Sequence, residues 1–156
     1  MAFDSELDLI ITRDMSVTRE QLWAAWSNPA HLAQWWCPKP WTTEVKAFDF
    51  RPGGAFHTFM SGPDGGTSDN PGVFLEIVPL TRIVGTSQLL ADTRPAPPSW
   101  MPMTTCWTFE AIPGGTRVTG HAMHATREAR DQHEQMGFQV GWGMMLDQLA
   151  AFAATL

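Results

Sequence analysis

Alternation of apolar and polar positions opens the chain. Leu7, Leu9, Ile11 and Met15 share one parity between Glu6 and Ser16, which predicts a half-buried first strand. The period then lengthens. Thr18 is a favoured N-cap for a short helix from Arg19 to Trp26, in which Leu22 and Trp26 stand one turn apart and Trp23 widens the apolar face. Asn28 followed by Pro29 starts a second short helix carrying Leu32, Trp35 and Trp36, and Pro38 and Pro40 stop it. Strand signals follow over Trp41 to Phe50, Ala55 to Met60, Gly72 to Val78, Arg82 to Leu90, Thr104 to Ala111 and Thr116 to Ala125. Turn residues separate them, notably Pro52-Gly53-Gly54, Pro79-Leu80-Thr81 and Pro113-Gly114-Gly115. Ser61 to Asn70 is expected to be an exposed hairpin loop, and the proline-rich stretch Asp92 to Pro102 cannot be a central strand.

From Thr126 the period becomes helical: Phe138, Trp142, Met145, Leu149, Phe152 and Leu156 fall on one stripe. A helix from about Gln132 to the end would be roughly 36 Å long at 1.5 Å per residue, enough to cross a curved sheet. The polar turns around Glu128 to Gln135 form either a separate short helix or a loop. The order of elements is that of an α+β domain, with an antiparallel meander and a terminal helix. One domain is expected for residues 1–156, with no internal repeat.

Strand parity then assigns faces. Trp107 and Phe109 oppose Thr108 and Glu110, so the aromatic pair should face the interior. Val118, Gly120, Ala122 and His124 are the smaller, less polar set of the next strand and are also assigned inward. Phe56, Thr58 and Met60 are placed inward against His57 and Phe59, whereas Val73, Leu75 and Ile77 do not separate from Phe74, Glu76 and Val78. Gly120, Ala122, Gly137, Gly141 and Gly143 remove volume where helix and sheet should meet. Such residues either let the backbones pack closely or leave a cavity open.

Composition narrows the functions. A net charge of −6 with only 10 basic residues and no basic stripe argues against a nucleic-acid or anionic-membrane partner. Cys37 and Cys106 share no redox or metal-binding spacing and read as buried free thiols of a reducing compartment. The acidic N-terminal residues do not resemble a signal peptide, and no apolar stretch approaches a membrane span, so the cytoplasm is the expected location. His121 and His124 would point to opposite faces of a strand, so a metal site is not expected. No nucleophile motif is present, and Gly62-Pro63-Asp64-Gly65-Gly66 lacks the lysine of a phosphate loop. The polar groups placed to reach an interior pocket are His57, Glu76 and His124, while Asp49 and Arg51 bracket a turn.

Trp35-Trp36-Cys37-Pro38, Arg51-Pro52-Gly53-Gly54, the run Gly72 to Pro79 and Gly141-Trp142, in this order, resemble the family similar to the activator of Hsp90 ATPase, within the START and Bet v 1-like group. The resemblance covers nearly the whole chain. It implies a helix-grip fold: a curved antiparallel sheet wrapped around a long C-terminal helix, with two short helices after the first strand and a hydrophobic cavity between sheet and helix. Trp36, Phe56, Met60, Trp107, Phe109, His124, Trp142 and Met145 are the residues expected to line that cavity, with no cofactor, metal or dedicated catalytic residue. Three functions are compatible with the fold. They are a carrier or sensor of a small hydrophobic molecule, a pocket enzyme of cyclase, aromatase or hydrolase type using His124, His57 or Glu76, and a chaperone-interaction module. Whether the chain forms a homodimer is left open.

Overall fold

The computed structural model describes residues 2–156. Its strands are β1 (Asp8–Met15), β2 (Thr42–Phe48), β3 (Phe56–Ser61), β4 (Thr67–Asn70), β5 (Val73–Val78), β6 (Arg82–Thr86), β7 (Leu89–Leu90), β8 (Arg94–Pro95), β9 (Thr104–Ile112) and β10 (Gly115–Met123). Its α-helices are α1 (Arg19–Ser27), α2 (Pro29–Leu32), α3 (Arg127–Gln135) and α4 (Phe138–Ala153). The main antiparallel sheet has the order β1-β10-β9-β6-β5, and a smaller one has the order β2-β3-β4. The two are stitched where Phe56 N–H donates to the Gly72 carbonyl at 2.9 Å and Phe74 N–H to the Gly54 carbonyl at 3.0 Å. The curved main sheet packs on α4, which makes the architecture a helix-grip fold.

Local chemistry sets the first helices. Thr18 and Gln21 make a reciprocal capping box, with backbone-to-side-chain bonds of 2.9 and 3.1 Å. The Asn28 side chain accepts from Ala30 N–H at 2.9 Å and so caps α2 just before Pro29. α1 delivers Leu22, Ala25 and Trp26 to the core, and Trp26 is almost fully buried.

Several details depart from the expectations of the sequence or settle what it left open. The second helix ends at Leu32, so Trp35 and Trp36 follow it instead of riding on its face. The terminal helix is shorter than a run from Gln132 to the end. Gly137, at φ +96°, breaks the chain between α3 and α4, leaving α4 with 16 residues and a length of about 24 Å. The stretch Ser61 to Asn70 is not all loop, because Thr67–Asn70 folds back on β3 as β4. The undecided parity of residues 73–78 has a physical cause. A bulge between Phe74 and Glu76 makes Leu75 an extra residue, so Phe74 and Ile77 both reach the core while Leu75 faces solvent.

The core is solid at one end. Phe109 lies 6.1 Å from Trp23 and 6.4 Å from Trp26 between ring centroids, and Trp26 touches Trp35 at 5.1 Å. At the other end, beneath α3 and the first turns of α4, it is hollow.

Candidate functional site: an aromatic cavity between sheet and helix

The hollow is a pocket of about 270 Å³, open to solvent on one side. β3 contributes Phe56, Thr58 and Met60, and β9 contributes Thr105 and Trp107. α4 supplies Gly141, Trp142 and Met145, α3 supplies His133, and the segment after α2 supplies Trp36, Cys37 and Pro38. Trp100, 51% exposed, stands at the rim, and Met101 and Met103 also line the hollow.

Each wall is held in place by an identifiable contact. Gln148 of α4 donates to the carbonyls of Trp35 at 3.2 Å and Cys37 at 2.8 Å, and accepts from Lys39 N–H at 2.9 Å. That clamp ties the Trp36 segment to the helix. Trp36 meets Phe56 edge-on at 5.3 Å, and Phe56 stacks on Phe74 at 4.7 Å. Trp107 stacks on Trp142 with centroids 5.1 Å apart and planes 15° from parallel. Offset stacking of this kind is favourable beyond the area it buries. It also fixes both rings as one rigid wall.

The glycines decide where the hollow lies. A Cβ at Gly120 would stand 2.6 Å from Cζ3 of Trp107, so the Trp107 ring itself occupies the space that Gly120 vacates. Gly120 is thus a seat for Trp107 and adds no free volume, contrary to its expected share in the hollow. Ala122 is fully buried beside it and is not among the lining residues. Gly143 leaves room for the Arg13 guanidinium, which a Cβ there would meet at 2.7 Å. At Gly141, by contrast, a Cβ would find no atom within 4 Å. Gly141 is the position where a missing side chain leaves open space.

Of the residues expected at the cavity, Trp36, Phe56, Met60, Trp107, Trp142 and Met145 surround it, and Phe109 and His124 do not. Phe109 points inward like Trp107, but lies two residues along β9, and that step of roughly 7 Å carries it into the solid core under α1. His124 is buried behind the wall. Its Nδ1 faces the Leu7 carbonyl at 2.9 Å and its Nε2 faces Nδ1 of His133 at 2.9 Å. The other polar candidates lie outside the cavity: His57 pairs with Asp69 at 2.5 Å, and Glu76 pairs with Arg82. His121 pairs with Asp8 at 2.7 Å on the opposite face of the main sheet.

His133 is the site residue that the sequence pattern passed over. It is packed edge-on against Phe138 at 5.1 Å and Trp142 at 5.8 Å. Burial, reinforced by the neighbouring His124, lowers its pKa to about 4, so it is neutral at physiological pH. Both cysteines are buried free thiols. Burial raises the Cys37 and Cys106 thiols above the ordinary range, which keeps them protonated and poorly nucleophilic.

No helix among the described residues is long and apolar enough to cross a membrane. No curated protein matches the chain. A crystal structure of a Nitrosomonas europaea protein is 38% identical and superposes with a TM-score of 0.92, covering 98% of this chain and 97% of the other. A Mycobacterium smegmatis protein of known structure is 28% identical, with a TM-score of 0.79 over 94% of this chain and 90% of that one. An AHSA1-like protein from Aeromonas hydrophila, 23% identical with a TM-score of 0.71 over 96% and 93% of the two chains, shares the fold. The family model described as activator of Hsp90 ATPase homolog 1-like protein matches residues 16–154, nearly all of the helix-grip frame, and the chain belongs to that family.

Proposed function

We propose that the protein binds a small hydrophobic molecule in this cavity and acts as its carrier or sensor without transforming it. The observation that carries the reading is a hollow of about 270 Å³, walled by aromatic and methionine side chains and left open at Gly141. An apolar occupant removes the pocket's apolar lining from water, a gain of about 25 cal/mol per Å² of apolar surface buried. The size suits a compact ligand. At the interior packing density of about 0.75, a 270 Å³ cavity accommodates roughly 200 Å³ of ligand, the bulk of two or three fused rings.

A catalytic reading requires titratable groups that meet over the substrate. His57, Glu76 and His124 do not line the cavity, and His133, which does, meets no carboxylate there, which favours binding over chemistry. The test is a thermal-shift screen of fatty acids, flavonoids and aromatic polyketides, with quenching of tryptophan fluorescence as a second readout. A ligand at 100 times its dissociation constant adds about 2.7 kcal/mol of stability. Native mass spectrometry of protein purified from its own host should show a retained small molecule. If no compound class raised the melting temperature and no tryptophan signal changed, the carrier reading would be wrong.

A further inference from the structure

We infer that the cavity selects flat aromatic molecules bearing a hydroxyl group, and that Nε2 of His133 accepts the hydrogen bond from that hydroxyl. The inference rests on the reading that the cavity binds a small apolar molecule. It concerns which molecules of that kind are preferred.

Hydrogen-bond bookkeeping along one chain of groups leads to this conclusion. The Leu7 carbonyl can only accept, and it lies 2.9 Å from Nδ1 of His124, so that nitrogen carries the proton. In the neutral pair, with His124 uncharged and protonated at Nδ1, its Nε2 is bare. Nδ1 of His133 lies 2.9 Å from that bare nitrogen and must therefore donate to it. His133 is then also the Nδ1–H tautomer, and its own Nε2 keeps a free lone pair. No protein group is bonded to that Nε2 among the described residues, and His133 lines the cavity. The Leu7–His124–His133 relay thus fixes a pure acceptor in a mainly apolar wall.

The other polar groups do not select in the same way. The Thr86 and Ser87 hydroxyls are both engaged with the Met103 carbonyl. The Thr58 and Thr105 hydroxyls can rotate to donate or accept, so they tolerate either kind of ligand group. The Asn70 amide is engaged with Ser68, accepting from its hydroxyl and donating to its carbonyl, both at 3.1 Å. The imidazole discriminates, because a ligand that buries it without offering a donor leaves a desolvated acceptor unpaired. The flat rings of Trp36, Phe56 and Trp142 favour a planar partner over a branched one.

The experiment compares naphthol, methoxynaphthalene and naphthalene as probes of wild-type protein and of His133→Phe, with affinities from calorimetry or tryptophan quenching. Wild type should bind naphthol about five- to tenfold more tightly than methoxynaphthalene, the usual size of one hydrogen bond. His133→Phe should reduce that preference to within about twofold while still binding naphthalene. A purely steric objection to the methyl group would survive the substitution. Because the variant could be poorly folded, the wild-type protein supplies a second measurement. The nitrogen resonance of His133 Nε2 should move upfield on adding naphthol and stay in place on adding methoxynaphthalene. If all three probes bound wild type equally, or if the preference persisted in His133→Phe, the inference would be overturned while the cavity reading stood. If no probe bound at all, the cavity reading would fail and this inference with it.

Discussion

Replacing Gly141 by alanine should stabilise the protein, and replacing it by leucine should close the cavity. Gly141 sits in the first turn of α4, where glycine is less favourable than alanine in a helix interior by about 1 kcal/mol, because the unfolded chain has more freedom to lose. A Cβ there meets no atom within 4 Å, so no clash offsets the gain. Gly141→Ala should therefore gain up to about 1 kcal/mol and raise the melting temperature by about 2–4 °C for a chain of this size. Gly141→Leu extends into the hollow. A ligand that fits wild type would then be overpacked, which ordinarily costs about 1–3 kcal/mol, so affinity should fall about tenfold or more. Gly120→Ala is the matched control. Its Cβ would lie 2.6 Å from the Trp107 ring, so the same chemical change should cost about 1–3 kcal/mol. Urea denaturation monitored by circular dichroism measures both alanine variants, and calorimetric titration measures the leucine variant. Destabilisation by Gly141→Ala, or unchanged ligand affinity in Gly141→Leu, would refute the assignment of open space to this position.

The turn before β3 offers a second pair of alanine variants. Gly53 has φ +81° and open space around it, so Gly53→Ala should cost about 1–2 kcal/mol in urea denaturation. Gly54→Ala should cost more, because its Cβ would lie 1.9 Å from the Asp49 carbonyl oxygen and the turn must open. Thr18→Ala removes one half of the capping box on α1 and should lower stability by about 1 kcal/mol. His133 makes stability depend on pH. Its folded-state pKa of about 4 lies below the unfolded value near 6.5, so the unfolded chain takes up a proton that the native state resists. The contribution is fully present above about pH 6.5 and is lost as pH falls through about 4, amounting to about 2–3 kcal/mol. The urea midpoint should fall less between neutral and mildly acidic pH in His133→Phe than in wild type, and an equal fall would count against a buried neutral imidazole.

Elements whose signals are local are legible in the amino-acid sequence itself. Thr18, Asn28 and Pro29 mark helix starts through contacts within three residues, and the Gly53 turn follows from backbone sterics alone. What the sequence hides depends on partners distant in the chain. The parity of β5 is ambiguous in sequence, because the bulge at Leu75 shows only in its pairing with β6. The clamp made by Gln148 joins segments more than a hundred residues apart, and nothing in its neighbours announces it. His133 lies in a polar helical run, and its burial arises only because Gly137 turns α3 back so that the ring meets Phe138 and Trp142.

The glycines show most sharply why a cavity resists sequence reading. Gly120 and Gly141 are chemically identical, and both belong to elements expected to meet where helix packs on sheet. One carries a tryptophan ring at a distance that no Cβ could share, and the other faces empty space. What separates them is the direction of the Trp107 side chain. Trp107 leans onto β10 and stacks beneath Trp142, so aromatic volume fills the Gly120 side and vacates the Gly141 side. Residue sizes give the total volume available, but a cavity is a local deficit, and its position depends on which way the largest rings turn. Here the stacked tryptophan pair sets that direction. The hollow therefore lies against the first turns of α4, next to His133, with Phe109 left in the solid core.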